Sequence, residues 1–371
     1  MSLANVSPLV PTPPQLPVAW YVDPTIFQYE QKFLFANSPS YIGHTLMAPN
    51  AGDFYAIPWM NEAKALVHHN NEINLISNIC RHRQAIMLNG KGNTKNIVCP
   101  LHRWTYDLKG ELIGAPHFEQ NPCLHLSKTQ LRNWQGLLFD SQRDISKELN
   151  QIGCKHDFDF TGYMLDTVDI VDYNFNWKTF IEVYLEDYHV GPFHPGLHQF
   201  VNCDELDWDF GDHYSVQTVG FKPEPGKHAS QIYQHWQNEV RRYSKTTPKY
   251  GAIWMVYYPM LMVEWYPNVL VISNIIPTDA NHCRNVVEFY YPEDIALFER
   301  NYIDAQQAAY NETAIEDKEI CQRMHDGRKA LFIQGTNECG PYQHPMETGM
   351  EHFHRWYRKQ MEHHLANFSQ R

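Results

Sequence analysis

The amino-acid sequence predicts an α+β protein of two domains, a small antiparallel β domain followed by a larger one in which strands and helices are segregated. Three observations lead there. Between Tyr41 and Asp140 the chain is written as short β-prone runs separated by turn residues, such as Lys64–His69, the Asn70-Asn71 turn and Ile73–Ile79. Beyond Tyr163, strand patterns give way to long helical ones, the order of an α+β domain rather than of alternating βαβ units. With 371 residues, 43% of them hydrophobic, the chain has material for two ordinary cores.

Taken in order, residues 7–17 (SPLVPTPPQLP) are proline-rich and predict an extended arm, and a helical segment follows near Pro24–Ala36. Arm and helix, residues 1–40, are expected to pack on the larger domain, with the β domain over 41–145 and the larger domain over 146–371. In the last of these the pattern predicts a strand near Met164–Asp172, a helix opening at Asn176, and strands across Ala252–Trp265, Leu270–Ile276 and Asn285–Tyr291. A long helix is expected from about Pro292 to Leu331, and another from about Gly349 to Asn367.

Composition removes several classes of function. Thirty basic against forty-two acidic residues give a net charge of −12, the opposite of a nucleic-acid footprint. The longest apolar run, Ile253–Val263, is too short to span a bilayer and contains Pro259. No basic region followed by an apolar stretch opens the chain, so no signal peptide is read and a cytoplasmic protein is expected. Eight cysteines are scattered without the spacing of a disulfide framework, which suits a reducing compartment. Among 21 histidines, only spacing can single out ligands.

Spacing does so first at Cys80-Arg81-His82 and, after sixteen residues, Cys99-Pro100-Leu101-His102. Each pair is short enough to sit on one loop tip. Zinc fingers separate their cysteine pair from their histidine pair, whereas here each half contributes one of each. Two thiolates on one iron and two imidazoles on the other are the ligands of a Rieske [2Fe-2S] centre, whose potential is raised above that of all-cysteine clusters. CRHR together with CPLHRWTYDLKGEL resembles the Rieske domains of non-haem iron oxygenases. Respiratory-chain Rieske proteins add a disulfide between the two loops, for which no further cysteine exists before residue 123. Gln84 departs from the glycine that the oxygenase branch usually carries there.

A second constellation lies in NWKTFIEVYLEDYHVGPFHP, residues 176–195. A helix from Asn176 would put Glu182, Glu186 and His189 on one face. Gly191 and Pro192 would end it, so that His194 can turn back beside His189. Two histidines and one carboxylate form the facial triad of non-haem Fe(II) oxygenases, with positions left open for O2 and substrate. The segment resembles the catalytic helix of the Rieske oxygenases, in which an acid, two residues, His, four residues and His follow one another. By that resemblance His189 and His194 ligate iron and Glu186 holds the bridging-acid position. Aspartate is usual there, glutamate goes with the carnitine-oxygenase-like group, and Asp187, one residue off register, is the rival. AIEDKEICQRMHDG, residues 314–327, resembles the helix that carries the carboxylate ligand. Asp317 matches the ligand position, while Glu316 points about 100° away on the same helix.

The resemblance, to the α (oxygenase) subunit and most closely to the carnitine and choline monooxygenase group, implies an N-terminal Rieske domain and a helix-grip (START-like) catalytic domain. It also implies a head-to-tail trimer in which Glu186 joins His189 to the His102 of a neighbouring subunit, so that cluster and mononuclear iron work as a pair. No G-x-G-x-x-G fingerprint occurs, so a separate reductase with flavin and an iron-sulfur cluster must oxidise NAD(P)H. A non-catalytic Rieske electron carrier is the rival reading, but a carrier needs only one domain of this chain. For the substrate, aromatic residues at 254, 257, 258, 265 and 266 alternate along strands, and Trp254, Tyr258 and Trp265 are the pocket candidates. Aromatic faces hold quaternary ammonium groups, so oxidation of a quaternary ammonium or N-methylated compound is expected, with aromatic ring hydroxylation or O-demethylation as the alternative.

Overall fold

The β-prone runs of the first part become hairpins whose burial follows their sequence. Lys64–His69 and Glu72–Ser77 pair antiparallel through Asn70 and Asn71, and Asn70 takes the left-handed φ of 56° that asparagine tolerates in such turns. In this computed structural model, which describes residues 15–224, 230–244 and 246–365, these strands are central to a five-stranded sheet. Two three-stranded sheets accompany it, one built from Ile97–Val98, Thr105–Tyr106 and Leu112–Gly114. Val67, Ile76, Trp104, Tyr106, Leu112 and Leu126 form a common apolar core with Cys80 and Cys99.

This smaller unit comprises residues 38–170 and 288–293, so it extends past the boundary expected at 145. The reason is packing. Ile145, Leu149, Ile152, Phe158 and Phe160 are all buried, Asn150 accepts from Trp134 Nε1 at 2.9 Å, and the Phe160 ring lies 4.3 Å from His44 and 5.1 Å from Tyr290. The larger unit takes 171–287, the chain from 294 onward and the segment up to Asn37, whose helix was expected to pack there. Of the proline-rich arm, residues 7–14 lie outside the described residues, as does the end of the last helix beyond 365.

Most of a seven-stranded sheet belongs to the larger unit, while residues 163–170 of its first strand and 288–292 of its last fall in the smaller one. The strands of this sheet are β1 (Tyr163–Tyr173), β2 (Val201–Gly211), β3 (Tyr214–Phe221), β4 (Ala252–Tyr257), β5 (Leu261–Tyr266), β6 (Val269–Asp279) and β7 (His282–Pro292), in the order β1-β7-β6-β5-β4-β3-β2. The longer helices are α1 (Trp177–Tyr184), α2 (Gln231–Tyr243), the 35-residue α3 (Arg300–Gln334) and α4 (Thr348–Leu365). Strands β2 and β3 and helix α2 fall where the sequence suggested no element. The helix expected from Pro292 breaks at Glu299, between Glu293–Phe298 and α3. Val256, Met262 and Ile275 on the sheet pack with Phe180 and Ile181 of α1, Cys321 of α3 and Phe353 of α4, a sheet face gripped by helices.

Ionic groups are buried in this core with partners. Lys178 Nζ donates to Glu30 Oε1 at 2.5 Å, and Trp177 Nε1 donates to Glu30 Oε2 at 3.1 Å. Glu182 accepts from Arg328 at 2.6 Å and meets His354 Nε2 at 2.8 Å. Because Arg328 also donates to Thr179 Oγ1 at 2.9 Å, it fastens α3 to α1. No helix of the described residues is long and apolar enough to cross a membrane.

Candidate metal centres

In the smaller unit, Cys80–Ala85 and Cys99–Trp104 are loops of matching geometry. The Cys80 N–H donates to Ala85 O at 2.9 Å and the Gln84 N–H to Cys80 O at 3.0 Å; the Cys99 N–H donates to Trp104 O at 2.8 Å and the Arg103 N–H to Cys99 O at 3.2 Å. Both close through a left-handed residue, Gln84 at φ 55° and Arg103 at φ 60°. Glycine supplies that conformation freely, which accounts for its use at the position of Gln84 in the proteins this loop resembles. Here glutamine adopts the same bend.

The two cysteines are buried free thiols. The His82 ring stacks on Trp104 at 4.9 Å and stands 4.7 Å from His102, centroid to centroid. His82 Nδ1 is buried without a hydrogen-bond partner, and the Tyr106 hydroxyl, which accepts from the Arg81 N–H at 3.2 Å, lies 3.7 Å from Cys80 Sγ. Two buried thiols and an orphaned imidazole nitrogen, with one Cys and one His per loop, are a donor set that fits a mixed-ligand [2Fe-2S] cluster.

The second centre begins at α1, where Asn176 caps the helix by accepting from the Lys178 N–H at 3.0 Å. The helix stops at Tyr184, so Glu182, Glu186 and His189 do not share one helical face. Glu182 is committed to Arg328 and His354, while Glu186 and His189 lie in the turn beyond. Gly191 and Pro192 do not terminate α1 but belong to the one-turn helix Val190–Phe193. His189 and His194 stand at the two ends of that turn, which brings their rings within 4.8 Å.

Asp317 of α3 faces both rings, with Oδ1 3.0 Å from His194 Nε2 and 3.6 Å from His189 Nε2. One ligand atom from each of the three residues lies within 4.8 Å of the others, a fit to a metal ion. The remaining nitrogens meet acids: Glu316 Oε2 is 2.7 Å from His194 Nδ1, and Glu186 pairs with His189 Nδ1. Glu186 also accepts from the His189 N–H at 3.0 Å. Carboxylates behind ligating imidazoles fix ring orientation and tautomer.

The acids and imidazoles of this cluster also act on one another's charge. Burial disfavours charge on Asp317, yet hydrogen bonds from the two imidazoles hold its carboxyl at about 2. Burial likewise opposes a charged His189, and Asp317 and Glu186 overcome it, lifting the ring to about 10. Asp187 is outside this set. Its carboxylate is buried with neither oxygen hydrogen-bonded, and burial pushes it up to about 7, with the Cys203 thiol alongside partly compensating.

Trp254 lies on the sheet face that the helices cover and Tyr258, just past the strand, packs on Phe353 of α4 at 5.4 Å, but Trp265 pairs with Ile253 and points to the opposite face, against Tyr250 at 6.3 Å. Its neighbour Tyr266 takes the inward place. The Tyr266 hydroxyl accepts from Trp254 Nε1 at 2.9 Å and donates to Glu264 Oε2 at 2.6 Å, while Tyr310 of α3 donates to Glu264 Oε1 at 3.2 Å. Glu264 is 1% exposed, and burial pushes its carboxyl up to about 7 against the hydrogen bonds of Tyr184, Tyr266 and Tyr310. Sequence reasoning passed over it, although a single acid in the apolar strand LMVEWY was a signal.

Two family models cover most of the chain: residues 42–133 match the Rieske [2Fe-2S] domain, and residues 160–363 the catalytic domain of the ring-hydroxylating alpha subunit. The putrescine 2-hydroxylase of Ralstonia nicotianae is 57% identical over 97% of this chain and 99% of its own. That of Bordetella bronchiseptica is 48% identical over 97% of this chain and 87% of its own. The carnitine monooxygenase oxygenase subunit of Escherichia coli is 23% identical over 91% of both chains. A quaternary ammonium Rieske monooxygenase solved with L-carnitine superposes with a TM-score of 0.69 at 18% identity, covering 93% of this chain and 95% of that one. The naphthalene 1,2-dioxygenase of Rhodococcus sp. superposes with a TM-score of 0.67 at 16% identity, over 94% of both.

Proposed function

The chain belongs to the ring-hydroxylating α-subunit family of Rieske oxygenases, and on that premise we propose that it hydroxylates an aliphatic amine, foremost a short primary diamine such as putrescine. As a family member it is an oxygenase with a [2Fe-2S] cluster and a mononuclear iron, works with O2 and a separate reductase, and forms oligomers. The observation that carries the substrate is the 57% identity to a putrescine 2-hydroxylase over nearly the full length of both chains. A quaternary ammonium substrate is the second reading, favoured by the likeness to choline and carnitine monooxygenases at 26% and 23% identity.

In this reading Cys80, His82, Cys99 and His102 hold the cluster, and His189, His194 and Asp317 hold the iron. When bound, the cluster supplies single electrons and the iron activates O2. Glu316 and Glu186 orient the two imidazoles through their far nitrogens. Glu186 rather than Asp187 is the acid that extends from His189 toward the exposed His102 of a second copy, in a trimer, because Glu186 already holds the His189 ring. The reductase carries flavin and an iron-sulfur cluster and oxidises NAD(P)H. A cytoplasmic setting is supported by the eight free thiols.

The test is turnover of the iron-loaded protein with a reductase, NADH and labelled O2, offered putrescine, choline, carnitine or an aromatic compound. The expected result is one labelled oxygen atom in putrescine, on carbon. Oxidation of choline, carnitine or the aromatic compound with putrescine untouched would overturn the proposal.

A further inference from the structure

We propose that Glu264 is the anionic anchor for the ammonium end of an aliphatic amine, with Gln217 as a second polar contact on the same sheet face. The inference rests on the amine-oxidising reading and names a recognition group that the reading lacks.

The register of the sheet places the groups. Gln217 of β3 is directly opposite Trp254 of β4, and Trp254 is directly opposite Glu264 of β5. Residues paired across neighbouring strands point to the same side, so an amide, an indole and a carboxylate form a row across the sheet. That side is the one facing α3, since Tyr310 of α3 reaches Glu264. Asp317, on the same helix, is near enough for its charge to act on Glu264.

Among the described residues no cation pairs with the buried Glu264. Among the described residues its hydrogen-bond partners are tyrosine hydroxyls, whereas Glu30 and Glu182 in the same unit are paired with Lys178 and Arg328. A carboxylate offers about four acceptor positions, and the tyrosines leave some of them free. An ammonium brings three N–H donors and the missing charge. Gln217 points independently to a polar ligand: it is 1% exposed, and neither its amide nitrogen nor its amide oxygen has a hydrogen-bond partner. Buried side-chain amides are ordinarily paired. Trp254, between the two, offers an aromatic wall beside which a cation is stabilised.

The experiment measures calorimetric binding of 1,4-diaminobutane and of its uncharged counterpart 1,4-butanediol to the iron-loaded protein, alongside turnover of the diamine. The unaltered protein is expected to bind the diamine and not the diol. Glu264→Gln should raise the diamine Kd by roughly 30-fold or more, the loss when one partner of a buried charge pair is removed. Because the carboxylate has no cation in the protein alone, the same variant should melt at or above the original Tm and keep its iron and visible spectrum, whereas a structural glutamate would lower Tm. Glu288→Gln, which alters another tyrosine-held glutamate in the smaller unit, should leave the Kd unchanged. If Glu264→Gln does not fold, Gln217→Leu decides, with weaker diamine binding supporting the proposal and unchanged binding overturning it. Unchanged Kd in a folded Glu264→Gln with turnover intact would overturn the anchor and leave the functional reading standing. Diamine binding that depends on Glu264 but leads to no oxidation would sustain the anchor and sink the functional reading, and an unaltered protein that binds no diamine would sink both.

Discussion

Single residues in this protein show how local conformation and charge were settled. Gln84 is an exposed non-glycine residue at φ 55°, the fourth residue after Cys80, as Arg103 is after Cys99. Left-handed backbone costs an ordinary L-residue about 1–2 kcal/mol, partly offset because glycine loses more entropy on folding. Gln84→Gly is therefore expected to stabilise the smaller unit by about 0.5–1 kcal/mol with an unchanged cluster spectrum, read as a shift in the denaturant midpoint. A loss of stability would mean that the glutamine side chain makes contacts worth more than the backbone relief. The adjacent acids at 186 and 187 differ in a comparable way. Glu186 reaches the His189 ring, whereas Asp187, one residue on, turns its carboxylate into the interior, where it finds no hydrogen bond.

At the scale of elements, the candidate iron site depends on two helices meeting correctly. His189 follows α1 and Asp317 sits within α3, and the pair is fastened by Arg328, which lies about three turns beyond Asp317 and bonds to Glu182 and Thr179. Removing one partner of a buried pair leaves an uncompensated charge, so Arg328→Met is expected to cost about 3–5 kcal/mol. Iron in the larger unit should fall with it while the cluster spectrum persists. The acid limb should move as well. Burial alone would raise Glu182, but Arg328 and His354 hold it at about 2. A depressed carboxylate contributes stability above its unfolded value near 4.5 and loses it as pH falls through about 2. Without Arg328 the folded value rises, so the window narrows and acid unfolding of the variant should show less of this dependence below pH 4.5. Thermal melts across pH 2 to 6 decide it, and parallel curves for both proteins would place the stabilisation elsewhere.

For the molecule as a whole, each unit carries one candidate ligand set, so the metals are expected to be lost separately. Iron analysis is expected to give about three atoms per chain, two in the cluster and one mononuclear. Asp317→Ala should remove about one and leave the visible spectrum, while Cys99→Ala should abolish that spectrum. If Asp317→Ala retains all its iron, a carboxylate other than Asp317 completes the set, with Glu316, already 2.7 Å from the His194 ring, the first to replace next.

What the sequence determined by itself is whatever a short stretch of chain can encode. The Cys-His pairs, the spacing of His189 and His194, and the hairpin at Asn70 are local, because loop closure and turn chemistry act over a handful of residues. The α+β class was legible for the same reason, through the periods of its strands and helices. Tertiary structure decided what depends on partners far away in the chain. The end of α1 at Tyr184 puts Glu186 and His189 off the helix, a stop that the 3.6-residue pattern did not contain. Phe158 and Phe160 joined the smaller unit because its core could bury them. Trp265 and Tyr266 exchanged places relative to expectation since, in a strand, one residue of register changes the face and pairing with β4 sets it. Glu264 gained part of its surroundings in the same way: Tyr266, two residues on, shares its face by strand period alone, but Tyr310 of α3 meets it only after the sheet has wrapped on the long helix, and no spacing within the strand could have announced that.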